Sequence, residues 1–305
     1  MTRFAALLCA VVATLAVAAP ARAAARPPVV GIGEQVPDMF SDPYWWALGI
    51  KDVRVLASWD ALRTKWQRED LDTYMNAARV AGARVLLAFG HSRDDGRHHV
   101  LPSVARFTRE FLRFRSRYPW VHDYLTWNEG NHCSQPTCRR PEVAAAYYDA
   151  IRRNCPGCTV VGGDVLDTSQ MPKWVKRFRR ATKAKHLIWG LHNYIDANRF
   201  RTRGTMSLLK AVKGEVWFTE TGGVVVRRNR SKIAFPGSVS HAAVATRWVF
   251  RLAALSPRIR RVYFYHWSPS APDANWDSAL VDRRDRPRPA YTVLQQWLAR
   301  HRPRV

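Results

Sequence analysis

The chain contains Tyr124-Leu-Thr-Trp-Asn-Glu-Gly-Asn-His132, a short apolar strand that runs directly into Asn128 and Glu129 and then breaks at a glycine. In a second segment, Trp217-Phe-Thr-Glu-Thr-Gly222, a similar short apolar strand ends at Glu220 and is followed two residues later by a glycine. A lone acid after a strand is usually a solvated loop residue, because ionised carboxylates are seldom buried. Two acids at matching strand ends of one chain favour a shared site in which both carboxylates take part in chemistry.

Short apolar strands alternate with amphipathic stretches along the rest of the chain, and no long linker or low-complexity segment interrupts them. The predicted strands are Val29–Gly33, Asp52–Ser58, Arg84–Gly90, Asp123–Asn128, Thr159–Gly163, Leu187–His192, Glu215–Glu220 and Arg261–Trp267. Apolar residues at three- and four-residue spacing predict helices over Leu71–Ala81, Leu101–Arg117, Pro141–Arg153, Met171–Ala184, Met206–Val212, Ser238–Leu255 and Pro289–His301. This alternation indicates a parallel sheet, and eight repeats in about 280 residues indicate an α/β fold that closes into a single (β/α)8 TIM barrel.

Residues 1–23 have the pattern of a secretory signal peptide. Arg3 precedes an almost wholly apolar run from Phe4 to Ala19, and Ala21-Arg-Ala23 is a small-x-small cleavage site. The run is short for a membrane anchor, and the later sequence supplies no second one. We therefore expect no transmembrane segment after cleavage, a secreted extracellular or cell-envelope protein, and one catalytic barrel domain over residues 24–305.

The cysteines fit an exported protein, in which disulfides are favoured over free thiols or a zinc site. Cys9 leaves with the predicted leader, and four cysteines remain in two close pairs on either side of a predicted helix. A helix of roughly 14 residues is ~20 Å long, so it places the two pairs at opposite ends. Local pairing, Cys133 with Cys138 and Cys155 with Cys158, is therefore favoured among the three connectivities. Although Cys-Pro-Gly-Cys is similar to a redox motif, no thioredoxin-like pattern surrounds it.

The formal net charge is +25 at pH 7, which suggests an anionic partner such as nucleic acid or an acidic polysaccharide. The basic residues are scattered, however, and 40 of the 49 are arginines. The clusters Lys173–Arg180 and Arg258–Arg261 fall on predicted helices or helix ends away from the acid-bearing loops. We expect a generally basic surface with weak electrostatic contact to anionic cell-envelope polymers and no specific nucleic-acid site. A dedicated polyanion-binding protein would instead need a contiguous Arg stripe and strongly salt-dependent binding.

Working residues of a TIM barrel lie where its strands end, because the loops there converge on one mouth. The predicted strand ends here are polar and aromatic: Glu34, Ser58-Trp59, Gly90-His91, Asn128-Glu129, Asp164, His192-Asn-Tyr194, Glu220 and His266-Trp267. Glycosidic cleavage needs one carboxyl to protonate the leaving oxygen and a second to attack the anomeric carbon or to activate water. The fourth and seventh strands lie on roughly opposite walls, so the carboxyls of Glu129 and Glu220 can approach to ~5 Å, the separation typical of retention.

No cofactor or metal is needed for that chemistry. The run His91, Asp94, Asp95, His98 and His99 contains possible metal ligands, but it lacks zincin spacing. We interpret it as a solvated loop, with His91 as a candidate substrate contact at its strand end.

Four motifs together resemble clan A of the retaining glycoside hydrolases, most closely families 5 and 39. They are Asn128-Glu129 after the fourth strand, Thr219-Glu220-Thr-Gly222 at the seventh, His192-Asn-Tyr194 at the sixth and Trp267 at the eighth. The resemblance covers the chain after the leader, because similar residues occur at the ends of corresponding strands. Its most specific part is the pair of acids, Glu129 and Glu220. It implies a hydrolase of poly- or oligosaccharides with Glu129 as the general acid/base and Glu220 as the nucleophile.

The resemblance also implies the substrate contacts. Asn128 would bind the sugar hydroxyl next to the anomeric carbon, Tyr194 would donate a hydrogen bond to the nucleophile, and His192 would line the cleft. Trp267 would be the floor on which a sugar ring stacks, and Arg54 is a candidate match for the clan's arginine on the second strand. The chain departs from the clan after the Asn-Glu pair, where a glycine replaces the common proline.

The alternative function is a non-catalytic carbohydrate- or envelope-binding protein that keeps the barrel, since a fold alone does not establish activity. The presence of both acids together with Asn128 and Tyr194 argues against a decayed site. The sugar, its linkage and the choice between endo and exo cleavage depend on loop shapes that the sequence leaves open.

Overall fold

A computed structural model of the protein describes residues 26–228 and 234–301. The predicted signal peptide over residues 1–23, including Cys9, lies outside the described residues. The barrel strands are β1 (Val29–Gly33), β2 (Asp52–Ser58), β3 (Arg84–Gly90), β4 (Asp123–Leu125), β5 (Thr159–Leu166), β6 (Ile188–His192), β7 (Val216–Thr221) and β9 (Ile259–Tyr265). All neighbours are parallel, and the pairing of β1 with β9 closes the ring. This confirms the predicted (β/α)8 TIM barrel.

Helices follow the strands around the outside. They are α1 (Pro43–Leu48), α2 (Lys65–Val80), α3 (Val104–Arg117), α4 (Pro141–Asn154), α5 (Met171–Ala181), α6 (Tyr194–Asn198), α7 (Arg203–Ala211), α8 (Val239–Ala253) and α9 (Pro289–His301), with short 3₁₀ helices at Pro37–Ser41 and Ala61–Arg63. Over the mouth, β8 (Val226–Arg227) and β10 (Trp276–Asp277) form a small antiparallel ribbon. None of the described helices is long and apolar enough to cross a bilayer.

Two apolar layers hold the barrel together, because alternate residues of a strand point to opposite faces. The outward layer packs against the helices; the ring of Phe89, for example, lies edge-on to Phe107, Phe111 and Phe114 of α3. A smaller buried cluster fills the barrel interior: Leu86, Ala88, Leu125, Val161, Trp217 and Tyr263. Above this interior layer the barrel holds charged side chains instead, and these form the site described below.

The fourth strand ends at Leu125, three residues earlier than predicted. Beyond it the backbone alternates between its two neighbours. The Thr126 N–H donates to the Val161 carbonyl of β5 (3.0 Å), whereas the Asn128 N–H donates to the Phe89 carbonyl of β3 (2.7 Å). Residues 126–128 are therefore held by hydrogen bonds to both neighbouring strands, although they no longer form a regular ladder with either. These bonds determine where the loop that carries Glu129 begins.

The apolar periodicity of the sequence did not predict the start of helix α2 or the presence of helix α6. Helix α2 begins at Lys65, six residues before the predicted start, because its first residues are mostly polar and carry no apolar repeat. Helix α6 has five residues, which is too short to show a 3.6-residue period, and it was not predicted.

Both predicted disulfides are present, Cys133–Cys138 with a Cα–Cα distance of 5.0 Å and Cys155–Cys158 with 5.3 Å. As expected, they lie at opposite ends of α4. The first closes the loop after β4 beside Glu129, and the second closes the turn between α4 and β5. Local pairing therefore follows from the helix that separates the two pairs.

Candidate active site

The loops at the carboxyl ends of the strands enclose a cleft of ≈ 560 Å³ that contains both Glu129 and Glu220. Its other walls come from the segments after β5, β6 and β9 and from the β8–β10 ribbon. The side chains of Glu129 and Glu220 are 24 % and 15 % exposed, so both reach the cleft while most of their surface is shielded from water. Oxygens of the two carboxylates lie within 4.8 Å of each other, with a ring nitrogen of His192 within the same distance of both.

Glu129 is positioned by the backbone of its own turn. It has a φ of +48°, a left-handed conformation that is uncommon for a residue other than glycine. Its N–H donates to Asp164 Oδ2 (3.3 Å), and the N–H of Gly130 donates to the Asp164 carbonyl (2.8 Å). A Cβ atom at Gly130 would lie 2.7 Å from the Trp174 ring, so the turn needs glycine here. This contact accounts for the glycine that stands where clan A commonly has proline.

Glu220 receives hydrogen bonds from two sides. Arg54 Nη1 donates to Oε2 (2.8 Å), and the Tyr194 hydroxyl donates to Oε1 (3.1 Å). Burial alone would lower the pKa of Arg54, but the charges of Glu220 and Asp164 raise it above its usual value. Burial and the Glu220 charge raise the pKa of Tyr194 well above its usual value, so the hydroxyl keeps its proton. Both contacts stabilise a negative charge on Glu220, as a nucleophile requires.

His192 is fully buried and lies among three carboxylates. Its Nδ1 is 3.1 Å from Glu129 Oε1 and 3.8 Å from Glu220 Oε2, while its Nε2 is 3.0 Å from Asp164 Oδ2. Burial alone would lower the pKa of His192, but the charges of Asp164 and Glu220 and the hydrogen bonds to Asp164 and Glu129 raise it to about 10. His192 is therefore a second buried cation beside Arg54.

The charge of His192 also acts on its partners. Burial would raise the pKa of Glu129, but the hydrogen bond and charge of His192 lower it below its usual value. Burial likewise would raise the pKa of Asp164, but the charges of His192 and Arg54 and a hydrogen bond from Thr219 lower it. The site thus combines two cations with three carboxylates inside one low-dielectric pocket.

Glu129, His192 and Glu220 have a spacing that a metal ion could bridge. Their other partners favour acid–base chemistry instead. His192 Nδ1 lies 3.1 Å from Glu129 and Arg54 Nη1 lies 2.8 Å from Glu220, so both carboxylates already have nitrogen partners within the protein.

Asn128 lies next to this network. Its side chain is buried, and its Oδ1 accepts a hydrogen bond from Arg54 Nη2. The carbonyl oxygen is thereby engaged, which leaves the amide group as a hydrogen-bond donor. Of the predicted site residues, the structure brings together Asn128, Glu129, His192, Tyr194 and Glu220.

Two other predicted contacts do not line the cleft. Trp267 is buried, and its indole N–H donates to Asp42 Oδ2 (2.9 Å). The last barrel strand ends at Tyr265, two residues earlier than predicted, and Glu34 accepts a hydrogen bond from the Trp267 backbone N–H (2.8 Å), so the tryptophan turns into the barrel wall. His91 also lies outside the cleft, where its Nδ1 is 2.9 Å from Gln135 Nε2.

The aromatic residues that do line the cleft wall include Tyr265 and Trp276. Tyr265 could have been identified from the strand pattern, since it shares a face with Trp267 and stands at the true strand end. Trp276 follows an irregular loop and carries no sequence signal. Asp164 was recognised only as a polar strand end, because its contacts with β2, β6 and β7 exist only after the barrel closes.

The chain is similar to known proteins in a family model and in solved structures. Residues 103–290 match the family model described as the glycosyl hydrolase catalytic core. No curated protein matches the sequence.

Several solved structures share the fold. A GH10 endoxylanase from a sugarcane soil metagenome has a TM-score of 0.65 and 14% identity over 89% of this chain and 97% of its own. A GH5_18 protein from Streptomyces cattleya, solved with GlcNAc, has a TM-score of 0.63 and 17% identity over 92% and 82% of the two chains. A family 39 glycoside hydrolase from Bacteroides cellulosilyticus WH2 has a TM-score of 0.58 and 14% identity over 89% and 63%.

Sequence identities of 14–17% show only that these proteins share the barrel fold. The family model, in contrast, matches more than half of the chain, and the matched residues include Glu129 and Glu220. The glycoside hydrolases of families 5, 10 and 39 are thus its structural neighbours, as the motif resemblance implied for families 5 and 39. The chain belongs to the glycosyl hydrolase catalytic core family, and it is a glycoside hydrolase.

Proposed function

We propose that the protein cleaves O-glycosidic bonds of a poly- or oligosaccharide by a retaining double displacement, with Glu129 as general acid/base and Glu220 as nucleophile. The observation that carries the proposal is the distance between the two carboxylates, oxygens of which lie within 4.8 Å of each other. Carboxyls about 5 Å apart are typical of retaining enzymes, whereas inverting enzymes need ~6.5–9.5 Å to hold a water between acid and base.

The reaction needs only the residues present. In the first step the protonated form of Glu129, which acidic pH favours because His192 lowers the pKa of this residue, donates its proton to the glycosidic oxygen while a Glu220 oxygen attacks the anomeric carbon. The bond to the leaving sugar breaks and a glycosyl ester forms. In the second step the ionised Glu129 takes a proton from water, whose oxygen attacks the same carbon and releases Glu220. Two displacements at one carbon restore the original anomeric configuration.

The surrounding groups have separate tasks. Arg54 and Tyr194 orient Glu220 through its two oxygens. The Asn128 amide donates to the hydroxyl next to the anomeric carbon, since its carbonyl oxygen is engaged by Arg54. His192 maintains the relative position of the acids, because one ring contacts both.

The stereochemistry of the first product tests the mechanism. Proton NMR of a reaction at early times should show the anomer of the substrate before mutarotation. An inverted anomer would overturn the double displacement. Glu220→Gln should abolish turnover and keep sugar binding; hydrolysis at the wild-type rate by this variant would contradict the role of Glu220, and an inactive wild-type protein that still binds sugar would favour the non-catalytic alternative.

Export is the second part of the proposal. Two disulfides between close cysteine pairs fit an oxidising compartment outside the cytosol. Together with the leader pattern in residues 1–23, they support secretion to the extracellular space or the cell envelope. Mass spectrometry of the mature protein in culture supernatant should find an N-terminus near residue 24.

Helix α5 supports a weak electrostatic contact with anionic polymers of the envelope. Its buried face packs with Trp174, Val175 and Phe178, while its outer face is basic. The exposed cations of this face are Lys173, Lys176, Arg177, Arg179 and Arg180. Charges grouped on one face raise the local concentration of polyanions more than scattered charges do.

A further inference from the structure

The loop after β4 carries a histidine that the catalytic mechanism does not use. This loop follows Glu129 directly, and the disulfide between Cys133 and Cys138 closes its second half. His132 precedes the disulfide, is exposed, and lines the cleft that holds the two acids. The acid/base and an exposed imidazole therefore lie three residues apart on one loop.

The backbone of His132 is held on both sides. Its N–H donates to the Glu129 carbonyl (2.8 Å), and its carbonyl accepts from the Gln135 N–H (2.9 Å). The neighbouring Asn131 side chain donates to the Leu166 carbonyl (3.0 Å) and accepts from the Leu166 N–H (2.8 Å). The loop after β4 and the end of β5 thus form one wall, so ordering this loop on ligand binding should cost little.

The imidazole of His132 has one nitrogen left for a ligand. Its Nδ1 lies 2.6 Å from Ser134 Oγ and 3.4 Å from the Ser134 backbone nitrogen. A backbone N–H can only donate, so Nδ1 accepts and the proton of the neutral ring is on Nε2; a protonated ring carries that proton as well. No hydrogen bond within residues 26–228 and 234–301 uses Nε2. The Nε2–H group is therefore a donor on the wall of the cleft.

The acid beside His132 indicates which sugar the imidazole meets. A nucleophile attacks the anomeric carbon from the face opposite the leaving group, and the acid/base lies beside the leaving oxygen. Burial would raise the pKa of Glu129, whereas the hydrogen bond and charge of His192 and then the nearby charge of His132 lower it. Tyr194, which follows β6, contacts Glu220 instead. His132 therefore lies on the leaving-group side of the reacting carbon.

We propose that His132 binds the leaving-group sugar through its Nε2–H, so that the loop after β4 forms the subsite for the sugar that departs. This inference rests on the proposed glycosidase function and deepens it, because it favours substrates with a sugar on both sides of the cleaved bond. A hydroxyl of that sugar accepts the hydrogen bond, and the apolar face of the imidazole contacts its C–H groups. A glycoside with a small aryl leaving group lacks this hydroxyl.

Matched leaving groups test the inference. Xylo-, manno- and cello-oligosaccharides are compared with the phenyl glycosides of the same sugars. The phenyl leaving oxygen still needs the proton of Glu129 but its ring carries no hydroxyl, so a ratio of the two rates removes any effect of a substitution on the acid itself.

His132→Phe keeps an aromatic ring without the donor. It should lower kcat/KM for the preferred oligosaccharide about 3- to 10-fold relative to that for the phenyl glycoside, the effect of one hydrogen bond between neutral groups. His132→Gln supplies an amide N–H in place of Nε2–H and should recover much of this ratio. An equal loss on both substrates, or a ratio equal to that of the wild type, would overturn the inference.

His122→Phe is the control. His122 is also exposed, but it precedes β4 and so lies at the opposite end of the strand from the cleft. This variant should keep the wild-type ratio. A change in the ratio as large as that in His132→Phe would show that the effect does not come from the cleft and would overturn the inference.

Binding separates failure of the inference from failure of the proposed function. Calorimetric titration of Glu220→Gln with the same oligosaccharides measures the contact without turnover, and the added His132→Phe substitution should weaken the tightest oligosaccharide about 3- to 10-fold. Unchanged affinity, or no binding of any oligosaccharide of the panel, overturns the subsite even if phenyl glycosides are hydrolysed. A loss of affinity that depends on His132 upholds the sugar contact even if the catalytic assignment fails.

Discussion

Arg54 Nη1 lies 2.8 Å from Glu220 Oε2, and the arginine side chain is completely shielded from solvent. The same guanidinium donates to Asn128 and lies 4.0 Å from Asp164. One residue of β2 therefore connects the segment after β4 with strands β5 and β7 across the interior of the barrel. A buried cation in this place compensates several buried carboxylates at once.

Replacing Arg54 should therefore damage both stability and activity. Arg54→Met leaves Glu220 and Asp164 without their shared guanidinium, and removing one partner of a buried ion pair typically costs about 3–5 kcal/mol. Chemical unfolding should show a loss of this size, and kcat should fall because the nucleophile loses a donor that orients it.

Arg84→Met is the matched control. Arg84 pairs with Asp52 at the opposite end of the barrel, and its side chain is 65% exposed. The Asp52 carboxylate is buried, but it keeps a second cation in Arg261, whose Nη1 lies 3.4 Å away. This variant should therefore lose less stability than Arg54→Met and keep full activity. A loss of less than about 1 kcal/mol in Arg54→Met would contradict the role assigned to the buried guanidinium.

The pH profile should reveal the contact between His192 and Glu129. Only protonated Glu129 can protonate the leaving oxygen, so kcat/KM falls as the pH rises through the pKa of Glu129. The protonated His192 lowers that pKa. In His192→Asn the cation is absent, the pKa of Glu129 rises, and the descending limb of the profile should move to higher pH.

His186→Asn provides the comparison, because His186 is exposed and precedes β6 on the far side of the strand from the cleft. Its pH profile should match that of the wild type. A descending limb in His192→Asn that stays in place, or that moves to lower pH, would show that His192 does not control the protonation of Glu129.

The two acids should differ in their dependence on the leaving group. Glu129→Ala removes the proton donor, so it should slow hydrolysis of natural glycosides strongly. A dinitrophenyl glycoside, whose leaving group needs no proton, should still form the glycosyl ester at a rate close to that of the wild type. Glu220→Ala removes the nucleophile and should be inactive on both substrates, and pre-steady-state kinetics can measure the first step directly. If both variants respond equally to the leaving group, the assigned roles are incorrect.

Much of this site could be predicted from the sequence because its parts are local. Glu129 and Glu220 each stand at the end of an apolar strand, and a parallel barrel brings all such ends to one mouth. The prediction needed only the alternation of strands and helices, which a single sequence carries. His192 and Tyr194 were identified in the same way, at the end of β6.

The parts that were missed depend on geometry that only the closed barrel provides. Trp267 was expected in the cleft because the resemblance to clan A implied it, but the strand ends two residues earlier, at Tyr265. Asp164 lies where the β5–β6 register shifts between Val161 and Asp164. Arg227 and Trp276 meet in a ribbon whose strands have two residues each, which is too short for any periodic signal.

The basic face of α5 should determine how the protein binds anionic polymers. Lys176→Gln combined with Arg180→Gln removes two exposed cations from this face, and retention on polyglycerol phosphate beads at low salt should fall several-fold. Exposed charges are screened by added salt, so the wild type should elute as the salt rises, and the variant should elute earlier. Arg283→Gln combined with Arg284→Gln removes the same charge from an exposed loop far along the chain, and it should elute close to the wild type. Equal shifts in the two double variants would mean that net charge alone governs retention and that α5 is not a distinct contact surface.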